Sequence, residues 1–151
     1  MTTPLGFFHY AASYRAAADK LRTCKLRATH PHSPILFTYY HSIELYLKAF
    51  LRSEGFTVAK LQGIGHDYGK LQRLSADRGL HFDDEDKEVL AFIASPGLWS
   101  GTRYLEVGFL QRPRLSALRR TCQSLDRSVG EALSARGVHV RRMRKGVRVT
   151  D

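Results

Sequence analysis

Residues 37 to 51 read FTYYHSIELYLKAFL, and residues 65 to 71 read GHDYGKL. At 100° per residue, Leu36, Tyr39, Tyr40, Ile43, Leu47, Phe50 and Leu51 fall on one broad face of a helix, while His41, Glu44 and Lys48 line its edge. An apolar face this wide belongs to a helix at the centre of a bundle. Glu44 stands four residues before Lys48, the favourable order for a helical ion pair. At the margin of a buried face such a pair is desolvated, and breaking it costs about 3–5 kcal/mol instead of the few tenths expected at a surface.

Working outward, Phe7, Tyr10, Ala11, Tyr14, Ala18 and Leu21 recur at helical spacing, so a first helix is expected from about Leu5 to Arg27. THPHSP, Thr29 to Pro34, stops it, because each proline biases the residue before it away from the α region. Ser33 is the expected cap of the second helix, with Pro34 in its first turn and Gly55 at its end. Residues 56 to 65 read as a connection and His66 to Arg78 as a third helix ending at Gly79. The acidic run DDEDKE, Asp83 to Glu88, suits the positive end of a fourth helix, whose buried side is Val89, Leu90, Phe92 and Ile93. After a loop through Trp99 and Arg103, a fifth helix runs from about Pro113 to Ala135. There Leu115, Leu118, Cys122, Leu125, Val129 and Ala132 form a bundle seam. The fold class read from this pattern is an all-α antiparallel helical bundle of about five helices, with the second and fifth at its centre.

The order of elements over roughly residues 5 to 135 resembles the HEPN superfamily of small helical bundles. Members of that superfamily carry an "IELxLKxxL" helix, then a Gly, then an HD pair opening the next helix. The matching residues here are Ile43, Glu44, Leu45, Leu47, Lys48, Leu51, Gly55, His66 and Asp67. The resemblance implies a bundle that dimerises, in a superfamily ranging from RNA-cleaving toxins and toxin–antitoxin partners to inactive binding modules. Apolar surplus on the second helix, with Leu45 and Tyr46 away from the main face, also points to a homodimer.

Length sets one domain of 151 residues, large enough to bury about two-thirds of its unfolded surface. The division expected is 1–135 for the bundle and 136–151 for a basic tail. Cys24 and Cys122 lack the spacing of a zinc site or disulfide framework and read as buried reduced thiols. No apolar run approaches the ~20 residues needed to span a bilayer, and the N-terminus lacks a basic start with a long apolar core, so no membrane contact and a cytoplasmic location are expected. Net charge is +10, and residues 136–151 contribute six Lys/Arg against one Asp. Half the excess therefore sits in a tenth of the chain. Val138 and Val140, then Val147 and Val149, alternate as in a small β-hairpin around the charged turn; a disordered tail is the alternative.

Candidate chemistry is sparse. His41 and His66 could form a polar pocket with Glu44 and Lys48, or the same residues could simply lock the second helix to the third. Asp67 suits a helix N-cap. Without an HxxxH or HExxH spacing to bring His41, His66 or His81 together, neither metal nor cofactor is expected. The resemblance implies that ribonuclease members use an Arg followed four to six residues later by His. Arg103 is the nearest candidate by position, yet no His follows it at that distance, and the one spacing match, Arg27 to His32, straddles Pro31. Arg103 and Tyr104 set a guanidinium beside an aromatic ring, a pairing able to stack a base or hold a phosphate. Arg141, Arg142, Arg144, Lys145 and Arg148 form a cluster suited to RNA or DNA.

The expectation drawn is a non-catalytic HEPN-like binding or regulatory module that engages nucleic acid or a partner protein. One alternative is a metal-independent endoribonuclease of toxin or defence type, with His41, His66 and Arg103 as candidate catalytic residues. Another is a helical partner of a nucleotidyltransferase in a two-component system, which rests on analogy alone.

Overall fold

The computed structural model describes residues 2–95 and 112–141, whose regular structure is all-helical. The helices are α1 (Pro4–Thr23), α2 (His32–Ser53), α3 (Val58–Ile64), α4 (Tyr68–Asp77), α5 (Asp84–Ile93) and α6 (Leu115–Ala135). α2 is central, packing against α1 most extensively and also against α6, α4 and α3, while α5 bridges α4 and α6. Its residues from Ser42 to Leu51 are buried without interruption, as befits a helix covered all round.

That burial consumes the apolar surplus read from the sequence. Tyr46 is enclosed, its ring edge-on to Phe8 at 5.4 Å, and Leu45 is buried too. The apolar argument for a dimer therefore does not survive the fold, because both residues are already buried within the single chain. Ala11 and Ala18 let α1 approach closely, and the Ser42 hydroxyl donates to the Ala11 carbonyl at 2.8 Å. The buried arc of α1 turns toward Phe8, leaving Tyr10, expected inside, 65% exposed on its far edge.

Several boundaries differ from expectation. α1 stops at Thr23, not Arg27, because Leu21 is the last of its residues packed on the core and Cys24 turns extended. Ser33 does not cap α2. The helix begins two residues earlier, at His32 after Pro31, with no side-chain cap. The connection at 56–65 contains α3, capped by the Thr57 hydroxyl and anchored by buried Leu61 and Ile64. Cys122 is buried as expected, but Cys24 is exposed at the end of α1.

The acidic run works as anticipated and does more. Asp83 caps α5 by accepting from Asp86 N–H at 2.8 Å, and Arg120 of α6 reaches Asp83, Glu85 and Asp86 together. Beyond α6, Gly137 adopts φ +77, and Val138 N–H returns to the Leu133 carbonyl at 3.0 Å, closing a left-handed glycine stop. Val138 and Val140 then pack on the core, so the segment after α6 begins attached to the bundle. The first arm of the expected β-hairpin, Val138 to Val140, is not a strand in the structure; its second arm, Val147 to Val149, lies outside the described residues, as does the loop carrying Trp99, Arg103 and Tyr104.

Candidate functional site

Glu44 sits on α2 with 2% of its side chain exposed. Helical spacing places Lys48 one turn later and His41 one turn earlier on the same edge. The fourth member comes from elsewhere in the chain. α3 ends at Gly65, whose φ of +61 reverses the backbone and delivers His66 to the flank of α2. Asp67 then caps α4 by accepting from Lys70 N–H at 2.8 Å. Tyr68 turns inward and donates from its hydroxyl to the Tyr40 carbonyl at 3.1 Å, pinning the junction to α2.

Both oxygens of Glu44 are engaged. Lys48 Nζ donates to Oε1 at 2.6 Å, and His66 Nδ1 donates to Oε2 at 2.7 Å. His41 Nδ1 lies 3.8 Å from Oε2, within ion-pair range but beyond hydrogen-bond reach, with its ring edge-on to Tyr14 and stacked near Phe37. Burial pushes the Glu44 carboxyl up, yet His41, Lys48 and His66 together outweigh it and hold the group at about 2. Glu44 is therefore ionised at neutral pH and can only accept, so Nδ1 of His66 must carry the proton. Burial, reinforced by the charge of Glu44, raises the Tyr68 phenol well above its ordinary range.

A carboxylate holding one imidazole nitrogen is the orienting half of a general-base pair, and the His66 side chain is 44% exposed. Here the same carboxylate also neutralises a buried lysine. Its primary physical role is to let Lys48 and Glu44 occupy the bundle interior while joining α2 to the α3–α4 junction.

Of the residues singled out from sequence, Glu44, Lys48, His41 and His66 converge, and Asp67 stands beside them as a cap. Arg141 is exposed just past α6. Arg103, Tyr104, Arg142, Arg144, Lys145 and Arg148 lie outside the described residues. Among the described residues no group of three or more His, Cys, Asp or Glu is placed to hold a metal ion, and no helix is long and apolar enough to cross a membrane.

Sequence reading passed over two features. Lys20, Arg22, Lys25 and Arg27 are all exposed at the end of α1 and the loop after it. The signal was available: no acid occurs between Asp19 and Glu44. Asp126 is buried on α6 and accepts from the Tyr46 hydroxyl at 2.8 Å. An acid placed between the seam residues Leu125 and Val129 was the trace of that bond. Compared with protein-family models, curated proteins and solved structures, the chain matches none.

Proposed function

We propose that this chain is an antiparallel, HEPN-like binding module, acting without catalysis, that engages nucleic acid through its cationic surface. The observation that carries the reading is the exposed acid-free stretch Lys20, Arg22, Lys25 and Arg27, joined in composition by the cluster from Arg141 to Arg148 in a chain of net charge +10. Exposed cations that pair with no acid among the described residues, as from Lys20 to Arg27, are suited to phosphate backbones, releasing condensed counterions on contact. The Glu44 cluster supports the non-catalytic side of the proposal, since packing alone accounts for its geometry. Homodimerisation belongs to the same proposal and rests on the resemblance.

One observation favours a second reading. The short Glu44–His66 contact with a half-exposed imidazole suits a metal-independent endoribonuclease.

The test is fluorescence anisotropy of labelled single-stranded RNA and DNA at about 50 and about 200 mM salt, with cleavage read on gels from the same samples. Arg142, Arg144, Lys145 and Arg148 are replaced together by Gln, which spares the packing of Val138 and Val140. If all four cations engage, the slope of log affinity against log salt falls by about 2.8 on single strands. Salt-independent binding, or a slope unmoved by the four changes, removes the tail from the interface. Cleavage lost in His66→Ala with the fold retained establishes the nuclease instead.

A further inference from the structure

A groove of about 340 Å³ runs between α1 and α6 on a part of the molecule separate from the Glu44 cluster. Phe8, His9, Ser13 and Arg15 come from α1, Asp126 from α6, and Arg141 from the segment that follows. Ala12 and Ala16, small residues one turn apart, keep the wall open. Two polar atoms of these residues, His9 Nε2 and Arg15 Nε, are buried without a hydrogen-bond partner among the described residues. Arg15 also forms no ion pair among the described residues. The nearby acid is already in use, Asp126 accepting from Tyr46.

Buried polar atoms without hydrogen-bond partners are rare in folded proteins and ask for an explanation. Here two of them line one groove, and the exposed Arg141 lies at its edge. An acceptor that satisfies all three must be small, anionic and able to present oxygens in several directions. A carboxylate offers two oxygens in one plane, whereas a phosphoryl group offers three in a tetrahedral array. Arg15 and Arg141 place two positive charges in the lining against the single negative charge of Asp126, a surplus that favours an anion. We propose that the α1–α6 groove is a binding site for a phosphoryl group, with Arg15 and His9 as the inner donors and Arg141 closing over it. The site goes beyond the nucleic-acid reading and rests on it only for one source of the phosphate, a polynucleotide end, the other source being a free phosphate compound.

The test uses the full chain in isothermal titration with inorganic phosphate, adenosine 5′-monophosphate and adenosine. The two phosphate-bearing probes bind and adenosine does not. Arg15→Gln weakens both by about tenfold or more, as expected for loss of charge-assisted hydrogen bonds. Arg15→Lys, which keeps the charge and loses the Nε donor, weakens them less. Lys70→Gln, an exposed cation on α4, serves as the control and leaves them unchanged. Equal binding by wild type and Arg15→Gln, equal losses in Lys70→Gln, or equal binding of adenosine overturns the site. Circular dichroism melts confirm folding of each variant. Competition between the mononucleotide and an oligonucleotide bearing a 5′-phosphate, with its 5′-hydroxyl counterpart alongside, separates the two sources. If Arg15→Gln abolishes mononucleotide binding while salt-dependent oligonucleotide binding persists, the groove and the tail are distinct sites. If the mononucleotide binds and no oligonucleotide does, the nucleic-acid reading fails and the groove stands.

Discussion

Replacing Glu44 by Gln keeps the shape of the side chain and removes its charge, which isolates what the carboxylate does for the bundle. In the folded protein this carboxyl is 2% exposed and lies at about 2, against an ordinary value of 4.5. That difference, at about 1.4 kcal/mol per pH unit, corresponds to roughly 3 kcal/mol of folding stability. A depressed carboxyl stabilises the fold above its unfolded value, and the contribution is lost as pH falls from about 4.5 toward 2. At pH 7 Glu44→Gln removes all of it and leaves the Lys48 ammonium buried without its counter-charge. The expected loss is about 3 kcal/mol, within the range for breaking one side of a buried pair. For a chain of this length it lowers the melting temperature by roughly 6–12 °C. Urea unfolding followed by circular dichroism at pH 7 and near pH 3 gives the two numbers needed. The gap between wild type and Glu44→Gln should narrow at the lower pH, because the carboxyl of the unfolded chain, with its ordinary value of 4.5, is protonated there while the folded one stays ionised. Adding Lys48→Met to Glu44→Gln should recover much of the loss, since the stranded charge is gone. A loss below about 0.5 kcal/mol at pH 7, or a double variant no more stable than the single one, would refute the assignment of the cluster as a buried lock.

Three further outcomes follow from the same geometry. Asp67→Ala should destabilise by about 1 kcal/mol in urea unfolding, and Asp67→Asn, which still accepts from Lys70 N–H, should lose less. Tyr46→Phe leaves buried Asp126 short of one donor and should cost about 1–3 kcal/mol, read as a lowered melting temperature with unchanged helical circular dichroism. Burial pushes the Cys122 thiol up to about 12 while Cys24 lies exposed, so a thiol reagent should label one cysteine in the native protein and both in denaturant. Rapid native labelling of Cys122, located by mass spectrometry of peptides, would contradict the packing of α6 on α2.

Reading the chain alone recovered what depends on local rules. Periodicity located α2 and α6, because their apolar residues repeat without interruption along one face. Asp67 was legible as a cap because a cap is a contact over three residues, and the acidic run from Asp83 marked the start of α5. α3 was missed, since seven residues with two buried side chains leave too short a pattern to separate from a loop. The end of α1 was overextended for a related reason. Its last turn has good helix formers but nothing beyond Leu21 to pack on.

The candidate site divides along the same line. Glu44 and Lys48 are joined by helix geometry, and their pairing is written in the spacing of four. His66 reaches them across 22 residues only because α3 and Gly65 turn the chain back onto α2. Likewise, His9 and Arg15 are unremarkable in sequence, and Asp126 is more than a hundred residues away. Only the packing of α1 against α6 gives them a shared groove and leaves two polar atoms buried without partners among the described residues. The sequence by itself determined five of the six described helices, the Asp67 cap, the internal ion pair and the excess of positive charge, since each depends on neighbours a few residues apart. Tertiary structure alone decided which apolar faces were covered and where distant polar groups met, because burial and convergence are set by the path of the whole chain.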